Sequence, residues 1–89
     1  MAARVEYKGS VSKDLRKLDR SAALRLLSKI EKALLLLESQ GNALTGEFTG
    51  LYSLRVGDYR VIYVRTDNGF LVLRIGHRRD VYKRGRPTR

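Results

Sequence analysis

Two periodicities divide this chain. In its first half the apolar positions recur at helical spacing; in its second half they alternate. Val11, Leu15 and Leu18 lie at i, i+4 and i+7, the stripe of a short amphipathic helix. Gly9-Ser10 precedes it, with Ser10 as its expected N-cap, and Arg4 to Tyr7 alternates weakly before that, as a short strand does. The first helix is expected to end near Asp19, and Asp19 or Ser21 to cap a second, longer one. The buried face of that second helix reads as Ala23, Leu27, Ile30, Leu34 and Leu37, widened by Leu24 and Leu35. Gly41-Asn42 supplies its C-terminal stop. So short a connection between two helices favours an antiparallel hairpin. Ala43 to Gly50 reads as a polar, glycine-marked linker.

From Leu51 to Tyr82 the pattern is that of three strands and two tight turns. Leu51 to Val56 alternates, Gly57-Asp58 is a two-residue hairpin turn, and Tyr59 to Arg65 is the next strand. In this register Val56 pairs with Tyr59, and Arg55 falls opposite Arg60. Asn68-Gly69 is the strongest short hairpin signal in the chain. Taken as a two-residue loop, it sets Asp67 against Phe70, Ile62 against Ile75 and Arg60 against His77. A four-residue loop keeps these faces; a three-residue loop with a bulge changes them.

The sheet so built has two apolar faces. One carries Tyr52, Leu54, Val56, Val61 and Tyr63 and is the expected seat of the helices. The other carries Ile62, Val64, Leu73 and Ile75, and then a basic group formed by Arg55, Arg60 and His77, with Arg78 just past its end. A sheet apolar on both faces usually has both covered, so a partner segment or a ligand is expected over the second. The fold class is therefore α+β: an antiparallel sheet with an N-terminal helical hairpin on one face, in the order β-α-α-β-β-β.

Composition narrows the partners. The chain has 89 residues and is one domain, with a small core that buries roughly 60–65% of the unfolded surface. It has no cysteine, which removes disulfides and thiolate metal sites and agrees with a reducing cytoplasm. No apolar run has the length of a signal peptide or of a membrane span. The net charge is +10, and it is uneven. Residues 1–49 carry nine basic and six acidic groups; residues 50–89 carry ten basic and three acidic, and nine of those ten are Arg. A polyanionic partner follows, and Arg in particular offers a planar fork for phosphate oxygens. The alternative is that the charge serves solubility. The last segment, KRGRPTR, is basic, holds the only proline and reads as a mobile arm.

Other chemistries find little support. One His, no Cys and no acidic pair at ligand spacing argue against a metal. Asp58 and Asp67 sit in turns, so no paired-carboxylate site is legible. No phosphate-cradling glycine motif occurs. What remains is a cationic site bearing tyrosine. RNA can be cleaved without metal because its own 2′-OH is the nucleophile; the protein must align it, stabilise charge on the phosphate and handle two protons. Like charges opposed across a sheet are unfavourable, so the Arg55/Arg60 pair is best understood as a seat for an anion, and RNA phosphate is the leading candidate. Arg78 and Tyr82 are expected to extend the site, and Arg79, Lys83 and Arg84 to be further RNA contacts; Tyr82 reads alternatively as an aromatic anchor for the tail, and His77 as simply the end of its strand. Tyr52, Tyr59 and Tyr63 read as packing, Arg79 alternatively as a solvated partner of Asp80, and Lys13, Arg16, Lys17, Arg20 and Arg25 as a solvated helix face.

At these residues the chain resembles the RelE/ParE superfamily of toxins from type II toxin–antitoxin systems. The resemblance spans about Val5 to Arg84 and is carried by the LYSLRVGDYRVIY hairpin and the closing IGHRRDVYKR. It implies a RelE-like, microbial-RNase-type domain over residues 1–84 and a basic tail over 85–89. In the RelE branch it implies a metal-independent endonuclease, without cofactor, that cuts messenger RNA in the ribosomal A site. In the ParE branch it implies a DNA gyrase inhibitor without the cleavage residues. Carried over by position, Arg60 and Arg55 would hold the scissile phosphate, Arg78 would protonate the leaving 5′ oxygen, and Tyr82 would orient or stack on the substrate. RelE-type toxins often have a lysine where this chain has Ser53, an RNA-contact position, and His77 is the substitute considered for general base. The set Arg55, Arg60, Arg78 and Tyr82 points to the RNase branch. A gyrase-blocking toxin and a plain RNA-binding module are the alternatives. The expected partners are a RelB-like antitoxin, in a hetero-oligomer, together with mRNA and ribosomal RNA; a cytoplasmic location is expected and a membrane is not.

Overall fold

Strand β1 (Arg4–Tyr7) leads into helices α1 (Val11–Arg16) and α2 (Arg20–Leu35), followed by a two-residue strand β2 (Asn42–Ala43), a single 3₁₀ turn (Gly46–Phe48), and strands β3 (Tyr52–Val56), β4 (Tyr59–Thr66) and β5 (Gly69–His77). The structure is a computed structural model that describes residues 3–36, 41–83, 85 and 87. One five-stranded sheet runs in the order β1-β5-β4-β3-β2. The fold is α+β, as the periodicities imply. The expectation of a wholly antiparallel sheet needs correction: β1 pairs with β5 in parallel, Arg4 with Gly69 through Tyr7 with Val72. Both helices and strands β2 to β4 lie between them in the chain, and parallel neighbours require a long connection of this kind.

Asp19 caps α2 as expected, its Oδ1 accepting from the Ala22 N–H at 2.8 Å. Ser10 makes no side-chain cap on α1; the neighbouring Ser12 hydroxyl donates to the Gly9 carbonyl instead. The buried face of α2 is Leu26, Ile30, Ala33 and Leu34. Ile30 and Leu34 lie where expected, but Leu24 and Leu35 face solvent, at 58% and 40% exposure. Leucines occur on nearly every side of this helix, so periodicity alone blurs the phase of its stripe. Leu37, part of the expected stripe, lies outside the described residues. The helix-side core joins those α2 residues and Val11 to Leu54, Val61, Tyr63, Val72 and Ile75.

The second face of the sheet is covered by the chain itself. Leu51, Ile62, Val64 and Leu73 pack with Val81 there, and Leu44, Phe48 and Tyr82 close over them. The stretch read as a polar linker thus contributes two large apolar residues, Leu44 and Phe48. The expected mobile arm is held at its described positions: the Gly85 carbonyl accepts a hydrogen bond from Arg74, and Pro87 is buried.

Candidate nucleic-acid site

The β3–β4 hairpin adopts the expected register. Gly57 takes a positive φ of 59°, and Val56 pairs with Tyr59 and Arg55 with Arg60. Directly opposed residues share a face, with Cβ atoms about 4.5–5.5 Å apart. Two guanidinium groups are therefore presented side by side on the face away from the helices. Arg55 is exposed and Arg60 half-buried. The Arg55 Nε–H donates to the Gly57 carbonyl at 3.4 Å, which steers its side chain toward the turn. Neither Arg55, Arg60 nor Arg78 ion-pairs with a carboxylate among the described residues.

The β4–β5 hairpin departs from the expected register. Its two-residue turn is Asp67-Asn68, with Thr66 paired to Gly69. Gly69 is needed elsewhere: a Cβ there would run into the Arg4 main chain, where β1 crosses close to β5. A bulge follows. Tyr63 pairs with Val72 but Ile62 pairs with Arg74, so Leu73 is an extra residue in β5. Beyond it Val61 pairs with Ile75, Arg60 with Gly76 and Tyr59 with His77. Two expectations are corrected as a result. Ile75 belongs to the helix-side core. His77 shares the face of Tyr59, not that of Arg55 and Arg60, and its ring meets Tyr59 edge-on at 6.2 Å. There it lines an open cleft of about 440 Å³ with Asp14, Lys17, Leu18, Tyr59 and Lys83.

Gly76 takes the place beside Arg60 that had been expected for His77. The chain then doubles back: the His77 carbonyl accepts from the N–H groups of Asp80 at 2.8 Å and Val81 at 3.0 Å. Val81 comes to rest on Gly76, where a Cβ would stand 3.4 Å from that of Val81. This turn exposes Arg78 and Arg79. The Arg78 N–H donates to the Asp58 carbonyl at 3.1 Å, which fixes its backbone beside the Gly57-Asp58 turn, at the Arg55/Arg60 end of the sheet. Asp80 pairs with Lys83 at 3.4 Å rather than with Arg79. Arg84 lies outside the described residues.

Tyr82 is brought onto the arginine-bearing face. Its hydroxyl donates to Ser53 Oγ at 2.9 Å, and its ring meets Phe48 edge-on at 5.3 Å. Ser53 lies one strand position pair from Arg55, so Tyr82 adjoins the opposed arginines. Ser53 itself is only 2% exposed; it sits beneath Tyr82 and has little surface for a direct RNA contact. Arg55 and Arg60 thus share the face that receives Tyr82, the backbone of Arg78 is tied to the adjoining turn, and His77 sits around the edge.

Two residues that matter here gave weaker signals in the sequence. Arg74, a lone charge inside the apolar run LVLRIG, is buried and donates from Nη1 to the carbonyls of Val81 at 2.7 Å and Gly85 at 2.8 Å. Asp14, also buried, accepts the Ile75 N–H on Oδ2 at 3.1 Å, serving the edge of β5 beyond the end of β1. Among the described residues no group of three or more His, Cys, Asp or Glu is placed to hold a metal. Nor is any described helix long and apolar enough to cross a membrane.

Comparison with known proteins adds a family. The model of the ParE toxin of type II toxin–antitoxin systems matches residues 5–82. No curated protein sequence matches the chain. Among solved structures, a chain of the RelBE2 toxin–antitoxin complex from Mycobacterium tuberculosis aligns over 88% of this chain and 100% of its own, at 24% identity and TM-score 0.71. A chain of the E. coli DinJ–YafQ toxin–antitoxin complex aligns over 92% and 99%, at 20% identity and TM-score 0.68. One from the RelB–RelE complex of Methanococcus jannaschii aligns over 89% and 96%, at 22% identity and TM-score 0.67. At these identities the likeness concerns the fold.

Proposed function

The chain belongs to the ParE-toxin family of type II toxin–antitoxin systems, within the RelE/ParE superfamily, and on that premise we propose that it is a ribosome-dependent, metal-independent mRNA endonuclease. The observation that carries this reading is the directly opposed pair Arg55 and Arg60 on the face that also receives Tyr82. Two cations opposed across one hairpin suit a phosphodiester whose negative charge grows in the transition state.

The chemistry runs as an in-line displacement. The 2′ oxygen forms a bond to phosphorus, and the bond from phosphorus to the 5′ oxygen breaks. Arg55 and Arg60 contact the non-bridging oxygens, where negative charge grows, so their attraction strengthens toward the transition state. No carboxylate or imidazole stands on this face of β3, β4 or β5, so the 2′-OH proton passes to solvent, its loss favoured by the nearby cations. Arg78 delivers a proton to the leaving 5′ oxygen. A departing alkoxide is nearly as basic as hydroxide, so it takes up a proton as the bond to phosphorus breaks. Tyr82 supplies a ring on which an unpaired base can stack. Arg79, exposed past the end of β5, contacts a flanking phosphate; Lys83, paired with Asp80, faces the His77 cleft and reaches RNA only around the edge.

The partner is an antitoxin. Toxin–antitoxin complexes recur among the structural neighbours, and the basic face suits an acidic or anion-mimicking segment. The family model that matches is of ParE type, which favours a second reading, a toxin that blocks DNA gyrase without cutting RNA. The two separate in one experiment. In a translating extract, Arg55→Ala and Arg60→Ala are expected each to abolish mRNA scission while gyrase supercoiling is unaffected by the wild-type protein. Inhibited supercoiling with intact mRNA would establish the second reading instead.

A further inference from the structure

One buried charge has no place in the chemistry above. Arg74 is 8% exposed, and its Nη1 donates to two main-chain carbonyls that bracket Tyr82, Val81 on one side and Gly85 on the other. The β5 bulge makes this possible. Continued from Tyr63 and Val72 without a bulge, the register would set Leu73 opposite Ile62 and Arg74 opposite Val61, inside the helix-side core. With the bulge, Leu73 and Arg74 both turn to the face where the C-terminal segment lies. A buried guanidinium is costly unless its donors are satisfied, and the two acceptors of its Nη1 both lie in the segment that carries Tyr82.

Tyr82 is therefore held at three levels. Arg74 fixes its main chain, Ser53 takes its hydroxyl at 2.9 Å, and Phe48 meets its ring. Val81, wholly buried on Gly76, anchors the same turn. We propose that Arg74 is a positioning residue for Tyr82: by clamping the carbonyls of Val81 and Gly85 it sets the phenol beside Arg55 and Arg60, and it acts on RNA only through Tyr82. The kinetic consequence rests on the nuclease reading; the positioning itself does not.

The test is a double-mutant cycle with two readouts on the full-length chain. Arg74→Met, Tyr82→Ala and the double variant are compared by NMR in the free protein and by single-turnover cleavage of mRNA on programmed ribosomes. Arg74→Met is expected to lose the nuclear Overhauser contacts between the Tyr82 and Phe48 rings while keeping those between Ile30 and Val61. Its cleavage rate should fall about 10- to 100-fold, as misplacement of a substrate-orienting group does, with KM little changed. The double variant should cleave no more slowly than Tyr82→Ala alone. Retained Tyr82–Phe48 contacts in Arg74→Met, or a double-variant loss equal to the product of the single losses, would overturn the proposal. If Arg74→Met does not fold, Arg74→Lys takes its place: it keeps the charge and a donor, so losses are smaller but must again be non-additive with Tyr82→Ala. If the wild-type protein does not cut RNA, the nuclease reading fails and the NMR contacts alone decide the role of Arg74.

Discussion

Arg55 and Arg60 face each other across the β3–β4 hairpin, two cations in one cross-strand pair. Such a pair opposes folding, and its members are worth more to a bound phosphate than to the sheet. Replacing either by the uncharged, similarly shaped Gln should therefore raise stability by about 0.2–1 kcal/mol, or roughly 1–8 °C in melting temperature for a domain of this size. The gain should shrink as salt screens the repulsion. Thermal melts of Arg55→Gln and Arg60→Gln at low and high salt check this; lowered melting temperatures would mean that the arginines stabilise the free protein.

Tyr82 and Ser53 are coupled through one hydrogen bond between a buried hydroxyl and a half-buried phenol. Ser53→Ala and Tyr82→Phe should each cost about 0.5–1.5 kcal/mol. The double variant should cost less than the sum, since the second change removes nothing that the first has left. Urea denaturation of the four proteins gives the coupling; strict additivity would show that the bond contributes nothing.

Alkaline pH should loosen the first strand from α2. Burial, reinforced by Glu31, pushes the Tyr7 hydroxyl up to about 12, against an ordinary value near 10. The folded protein thus holds this proton at a pH where the unfolded chain releases it. The resulting stabilisation is complete below pH ~10 and is lost as pH rises from about 10 through about 12. Burial raises Tyr63 in the same direction. The urea midpoint should fall across this window, and less steeply in Tyr7→Phe. An identical slope in wild type and variant would contradict the assignment.

The phase of α2 can be tested by two substitutions. Ile30, fully buried, should cost about 2–5 kcal/mol as Ile30→Ala. Leu24, on the solvent side, should change stability by less than about 0.5 kcal/mol as Leu24→Ala. Comparable losses at both would place the buried stripe where the leucine spacing alone suggested.

Local rules were enough for the β3–β4 hairpin, because Gly57-Asp58 sets its register within six residues of Arg55 and Arg60. They were not enough for β4–β5. Asn68-Gly69 is a strong turn signal, but Gly69 answers to the close approach of Arg4, nearly the whole chain away, and the turn moves back by one residue. The bulge at Leu73 shifts the register again and turns His77 off the arginine face. A period of two makes such slips decisive, since one residue reverses every side chain beyond it. The parallel pairing of β1 was invisible for the same reason: no local feature of Arg4–Tyr7 names its partner. The cover on the second face was half legible. Two apolar faces required one, and Leu44, Phe48, Val81 and Tyr82 provide it from segments whose polar or basic composition disguised them. Arg74 could have been found from its place in an apolar run, as a charge in need of buried acceptors.

The most direct measurement is primer extension on a defined mRNA, with and without translating ribosomes, for the wild-type chain and for Arg60→Ala. The expected result is a set of new, codon-phased 5′ ends that require both ribosomes and Arg60. New ends of equal strength with Arg60→Ala would contradict the assignment of Arg60 to the scissile phosphate, and no new ends while the wild-type protein still arrests growth would contradict the nuclease reading itself.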